Sequence, residues 1–216
     1  MQVVKAKGFD IPIVGLGTWM LRGRECARLV EQAIRLGYRH IDTAQMYENE
    51  REVGEGVRAS GKRREVMVTT KIQPSLLAPR DVERSVRESL QRLHIDEIDL
   101  LLIHWPNPRV PLSETLGAMA KLKQAGLVRA LGVSNFTVAL LEEANKVSPE
   151  PLVCNQIEIH PFLRLWRRYS CTFLCNLFSS WGGWSAAISK SNFVKSAPKS
   201  TARLATRRSW LRLRRT

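Results

Sequence analysis

Short apolar runs alternate with amphipathic stretches along most of this chain. The runs at Ile13–Gly17, Arg39–Asp42, Val66–Thr70, Ile98–Ile103, Ala130–Val133 and Cys154–Ile157 predict strands. Between them, periods near 3.6 predict helices at roughly Glu25–Leu36, Glu50–Ala59, Arg80–Leu93, Leu112–Gln124 and Val138–Asn145. Gly37, Gly61 and Gly126 stand where helix C-terminal caps belong. An N-terminal segment containing Gly8 and Pro12 is compatible with a hairpin. This is a βα alternation repeated about six times, which implies parallel strands joined by crossover helices.

Two architectures fit such a pattern, a doubly wound sheet and a (β/α)8 TIM barrel. A doubly wound dinucleotide fold concentrates its signature after the first strand as G-x-G-x-x-G. The candidate here is Gly15-Leu16-Gly17-Thr18-Trp19-Met20, in which Met20 takes the third glycine position, so the doubly wound reading is disfavoured. The polar residues Asp42, Lys71, His104, Ser134, Asn135 and Gln156 instead fall at or just past the ends of successive predicted strands. A barrel gathers its active site from its βα loops in that way.

A full barrel needs eight units. Beyond Leu163 the alternation dissolves, and residues 164–216 contain nine Ser, four of the six Trp and no acid. The expected division is a partial barrel over residues 1–163 and a basic tail over 164–216, the latter frameshifted or disordered. A six-unit piece of barrel leaves two open strand edges, which predicts poor folding or a catalytically dead product.

Charge changes the picture only in that tail. The net charge of +14 invites a nucleic-acid or membrane reading. Yet residues 1–160 carry 22 Lys and Arg against all 20 Asp and Glu, so the excess lies beyond them. Twelve basic residues there could bind phosphates or anionic surfaces nonspecifically, but no helical face collects them. No specific nucleic-acid partner is expected, and no apolar run is long enough to span a bilayer. Cys171-x-x-x-Cys175 lacks a second Cys/His pair at zinc spacing, so no metal is expected. Four cysteines without framework spacing, in a chain without a signal peptide, fit a reducing cytoplasm.

Between Gly37 and Gly54 the chain reads GYRHIDTAQMYENEREVG. It places a carboxylate, Asp42, and a phenol, Tyr47, across a strand-to-helix turn, while Lys71 and His104 arrive from the next two strands. Taken singly, each has a bland reading as a solvated charge, a packed aromatic or a buried histidine. Together they can build a proton donor for a carbonyl oxygen. A phenol is a poor acid near neutrality, and a nearby ammonium stabilises the phenolate and lowers its pKa. Lys71 would do this for Tyr47, Asp42 would keep Lys71 charged, and His104 would hydrogen-bond the carbonyl. No side chain supplies hydride, so a nicotinamide cofactor is implied.

This order of residues resembles the aldo-keto reductase superfamily, over about residues 8–163. Gly37 to Gly54 resembles the family's first signature; Lys71 in VTTKI and His104 in LLIHWP complete its catalytic tetrad with Asp42 and Tyr47. GVSNF at 132–136 and NQIE at 155–158 resemble its later strand ends. The nearest subgroup looks like the bacterial diketogluconate and small-aldehyde reductases. The resemblance implies a cytoplasmic, monomeric, NADP(H)-dependent reductase of small-molecule carbonyls. It implies that Tyr47 is the general acid, that Lys71 tunes it, that Asp42 pairs with Lys71 and that His104 orients the substrate. It further implies that Ser134, Asn135 and Gln156, with Asp42, serve the nicotinamide side, and that Trp19, His104 and Trp105 line the substrate pocket. The family's grip on the adenosine 2′-phosphate has no matching motif; the basic stretch from Lys195 to Lys199 follows no recognisable strand. The rival reading is a nonenzymatic barrel fragment with a cationic, surface-binding tail.

Overall fold

The computed structural model describes residues 2–158 and two further strands, 175–178 and 184–188. A hairpin of β1 (Val3–Ala6) and β2 (Phe9–Pro12) opens the chain. Six strands then pair in parallel and in sequence order: β3 (Val14–Gly17), β4 (His40–Asp42), β5 (Met67–Ile72), β6 (Ile98–Ile103), β7 (Val128–Ser134) and β8 (Leu152–Gln156). Helices α1 (Gly23–Arg35), α2 (Glu50–Ala59), α3 (Pro79–Leu93), α4 (Leu112–Gln124) and α5 (Val138–Val147) make the crossovers. From β3 to β8 the strand order does not reverse, as it would at the switch point of a doubly wound sheet. The unit is an open piece of a (β/α)8 barrel.

Local chemistry explains the helix ends. Gly37, Gly61 and Gly126 have φ of 107°, 70° and 75°, the left-handed values that a residue without Cβ adopts cheaply after a helix. Pro79 starts α3 where a missing N–H costs nothing. The outer core lies between sheet and helices, with Ile41, Val68, Leu101 and Val133 meeting Val30, Val53, Val86 and Leu116. Fully burying one such side chain stabilises by about 1.5–3 kcal/mol. A second cluster on the other face joins Met67, Leu100, Leu102 and Val153 to Ile11 of the hairpin. Close helix packing is set by Gly54 and Gly56, where an added Cβ would lie 2.1 Å from the Leu93 carbonyl oxygen and 2.4 Å from that of Ala27.

One expectation needs correction. The edge at β3 is not open: β10 (Trp184–Ile188) runs along it, antiparallel, pairing Trp184 with Leu16 and Ala186 with Val14, and β9 (Cys175–Phe178) pairs with β10 in turn. The tail therefore contributes two strands where the sequence showed no periodicity, because backbone pairing along an unsatisfied edge does not require an alternating pattern. Their antiparallel sense also differs from every pair between β3 and β8. The rest of the tail, including Cys171 and the stretch from Lys195 to Lys199, lies outside the described residues.

Candidate active site

Alternation along β5 turns Met67, Thr69 and Lys71 to the face opposite Val68 and Ile72, so an ammonium is carried to the inner side of the sheet. It is fully buried, and burial alone would pull its pKa down. Asp42 and Tyr47 reverse that, and the Lys71 pKa is raised overall. Nζ donates to Asp42 Oδ2 at 2.7 Å, to the Thr43 carbonyl at 3.0 Å and to Tyr47 Oη at 3.3 Å. Three N–H bonds thus meet three acceptors. The other oxygen of Asp42, Oδ1, accepts from Gln156 Nε2 at 3.0 Å.

Tyr47 ends a single 3-10 turn, Gln45–Tyr47, which follows β4 directly. Its ring meets that of His104 edge to face, with centroids 5.6 Å apart, and Lys71 Nζ lies 4.8 Å from its centroid. The sequence predicted a phenol made more acidic by Lys71. Burial is the larger effect, however, and with Asp42 it outweighs Lys71, so the Tyr47 pKa is raised. The phenol holds its proton at neutral pH.

His104 follows β6. Burial, reinforced by Lys71 and opposed by Asp42, pushes its pKa down to about 4, so the ring is neutral near pH 7. Its Nδ1 is buried and has no hydrogen-bond partner among the described residues. At the ends of β7 and β8, Ser134 Oγ donates to the Gln156 carbonyl at 2.9 Å. Asn135, left-handed at φ 61°, donates through Nδ2 to the His104 carbonyl at 2.9 Å and to Ser134 Oγ at 3.1 Å.

These residues meet in one cavity of ≈ 290 Å³. Tyr47, His104, Ser134, Asn135 and Gln156 line it, with Trp19 and Trp105 at the rim, 49% and 50% exposed. Asp42 and Lys71 are not part of its wall; they stand buried, Lys71 bonded to the Tyr47 phenol and Asp42 to Gln156. Met46, Ile157 and Glu158 complete the lining and were missed from sequence. Adjacency was the available signal, since Met46 precedes Tyr47 in its turn and the other two follow Gln156. Among the described residues no group of three or more His, Cys, Asp and Glu could hold a metal ion, and no helix is long and apolar enough to cross a membrane.

A proton-bearing phenol and a neutral imidazole opening on one cavity, with a buried cation behind the phenol, form an arrangement suited to protonating a carbonyl oxygen. Comparison with known proteins identifies the family. A model of the Aldo/keto reductase family matches residues 13–176. The chain belongs to the aldo/keto reductase family. The match runs past the boundary expected at residue 163 and takes in the first residues of β9. The chain is 45% identical to "Methylglyoxal reductase DkgB" of Yersinia pestis over 159 residues, 72% of this chain and 60% of that protein. It is 46% identical to "2,5-diketo-D-gluconic acid reductase B" of a Corynebacterium species over 150 residues, 68% of this chain and 54% of that one. The chain thus spans less than two thirds of the length of these curated relatives. Among solved structures, a Bombyx mori aldo-keto reductase in complex with NADP superposes with a TM-score of 0.75 at 34% identity, covering 82% of this chain and 66% of its own.

Proposed function

We propose that this chain is an NADP(H)-dependent reductase of small aldehydes and ketones, with Tyr47 as proton donor. The observation that carries the reading is the contact of Lys71 Nζ with both Asp42 and Tyr47, the last of which lines the cavity. Family membership and the named activities of its relatives support it.

The residues present suit a nicotinamide carboxamide, which offers both a donor and an acceptor. Asn135 and Gln156 use their amide nitrogens within the protein, leaving amide oxygens to accept from a ligand, and Ser134 stands beside them. Ser134, Asn135 and Gln156 would hold the carboxamide, and Asp42 would serve it indirectly by fixing Gln156. When bound, the cofactor supplies hydride to the carbonyl carbon. The rest falls to this chain. His104, neutral, donates a hydrogen bond to the carbonyl oxygen and sets its angle. Tyr47 gives its proton to that oxygen as negative charge develops there. Lys71 then stabilises the phenolate through the bond it already makes, and Asp42 keeps the ammonium charged. Trp19 and Trp105 shield the substrate from water at the rim.

The division into a partial barrel, 1–163, and a tail, 164–216, belongs to the same reading. So do a monomeric state and a cytoplasmic location, the second being compatible with Cys26 and Cys154 standing as buried free thiols. The test is NADPH oxidation by the purified chain with methylglyoxal. Turnover that falls by ~10²–10⁴-fold in Tyr47→Phe is the expected result, the usual worth of a positioned general acid. Equal rates in the two proteins would refute the assignment.

A further inference from the structure

Asn49 occupies the N-cap position of α2. There an Asn side chain ordinarily accepts from an amide in the helix's own first turn. Asn49 makes no such bond. It turns instead to the loop between β3 and α1, 31 residues earlier: Nδ2 donates to the Thr18 carbonyl at 2.7 Å and to the Leu21 carbonyl at 3.0 Å. Its Oδ1 accepts from Thr43 Oγ1 at 2.7 Å, and the residue is fully buried. A helix cap has been given up for a tie between two loops.

Those two loops hold opposite parts of the site. One carries Trp19 at the cavity rim, and the other carries Tyr47. A second tie runs the other way, since the Arg22 guanidinium donates to the Tyr47 carbonyl as well as to that of Leu21. A third joins Thr18 Oγ1 to the Asp42 carbonyl at 3.0 Å. Beside the contact each loop holds a left-handed residue other than glycine, Met20 at φ 67° and Glu48 at φ 55°. Such residues keep that conformation where the surroundings over-determine it.

We propose that Asn49 is a positioning residue that clamps the Trp19 loop to the Tyr47 turn, so that the cavity's aromatic rim and its proton donor move as one body. The kinetic consequence rests on the carbonyl-reduction reading; the clamp itself does not. Removing the side chain leaves the buried Thr43 hydroxyl without its acceptor and takes one of the donors from each loop carbonyl, Thr18 keeping the Leu21 amide and Leu21 keeping Arg22. A substrate large enough to press on Trp19 then loses its alignment to Tyr47, while one that touches only Tyr47 and His104 is held as before.

Hydrogen exchange on the full chain tests the clamp. In Asn49→Ala, exchange rises about tenfold in both Thr18–Leu21 and Ala44–Tyr47 while β5 to β7 keep their protection. Arg22→Ala, at an exposed position and safe for folding, produces a smaller rise in the same two segments, and Arg22→Lys restores protection by keeping a cationic donor. A rise confined to one segment, or a uniform loss across the sheet, overturns the clamp. The kinetic arm compares phenylglyoxal with methylglyoxal. Asn49→Ala lowers kcat/KM about tenfold for the aromatic substrate, with kcat falling too, and less than about twofold for the small one. Equal losses on both would mean a merely structural role. A wild-type chain that turns over neither sinks the reductase reading, and the exchange pattern still decides the clamp.

Discussion

Asp42 ends β4 at 0% exposure, and Asp99 lies one residue into β6 at 3% exposure. Each holds a cation at 2.7 Å. Asp99 accepts from Arg63 and Arg129 and from the Val68 amide at 2.9 Å, and both guanidinium groups reach solvent, with side chains 30% and 53% exposed. That carboxylate staples the turn before β5 to β6 and β7. Asp42 faces Lys71, whose side chain is 1% exposed and carries the charge onward to Tyr47 at the edge of a cavity. A buried ion pair alone therefore does not mark a site. The mark is a cation that keeps one hydrogen bond for a titratable group opening on empty space.

Breaking the inner pair has the larger effect. Lys71→Met strands a carboxylate away from water and costs about 3–5 kcal/mol, read from urea denaturation. Turnover should be lost with it. A loss below about 1 kcal/mol would mean that Asp42 was never dependent on Lys71.

Acid probes the same inner face without mutation. His40, fully buried and bonded to Thr69 Oγ1 at 2.9 Å, has its pKa lowered from 6.5 to about 4 by burial. As pH falls the unfolded chain takes up this proton first. The contribution is complete above pH 6.5 and is lost as pH falls toward 4, amounting to roughly 3 kcal/mol. His104 acts in the same window and the same direction. Stability that stayed flat between pH 7 and 4 in thermal melts would contradict this. The smallest effect belongs to the outer surface, where Arg87 meets Glu83 at 3.0 Å in the open. Arg87→Ala should change the unfolding free energy read from urea denaturation by no more than about 0.3–0.5 kcal/mol.

Much of this could be read from the residues. The βα alternation, the capping glycines and the placing of Asp42, Lys71, His104 and Ser134 at strand ends follow from period and position, which local sequence records directly. Strand bounds were less legible: β5 runs to Ile72, past the expected Thr70, because its ladder with β6 continues through Lys71 and Ile72. What escaped depends on distant neighbours. That burial outweighs Lys71 at the Tyr47 phenol is a sum over surroundings that no motif contains. Asn49 stands just before the helix expected from Glu50, and the approach of the Thr18–Leu21 loop, which no local pattern records, diverts its side chain. The antiparallel β10 is likewise fixed by an edge far away in sequence.

The contrast between the two carboxylates is tested most directly by making Asp42→Asn and Asp99→Asn and measuring kcat and the urea midpoint on the same preparations. Both variants should lose stability, but only Asp42→Asn should lose turnover, by about a hundredfold or more, while Asp99→Asn keeps kcat within about twofold. Parallel losses of kcat in the two variants would contradict the division between a chemical and a structural ion pair.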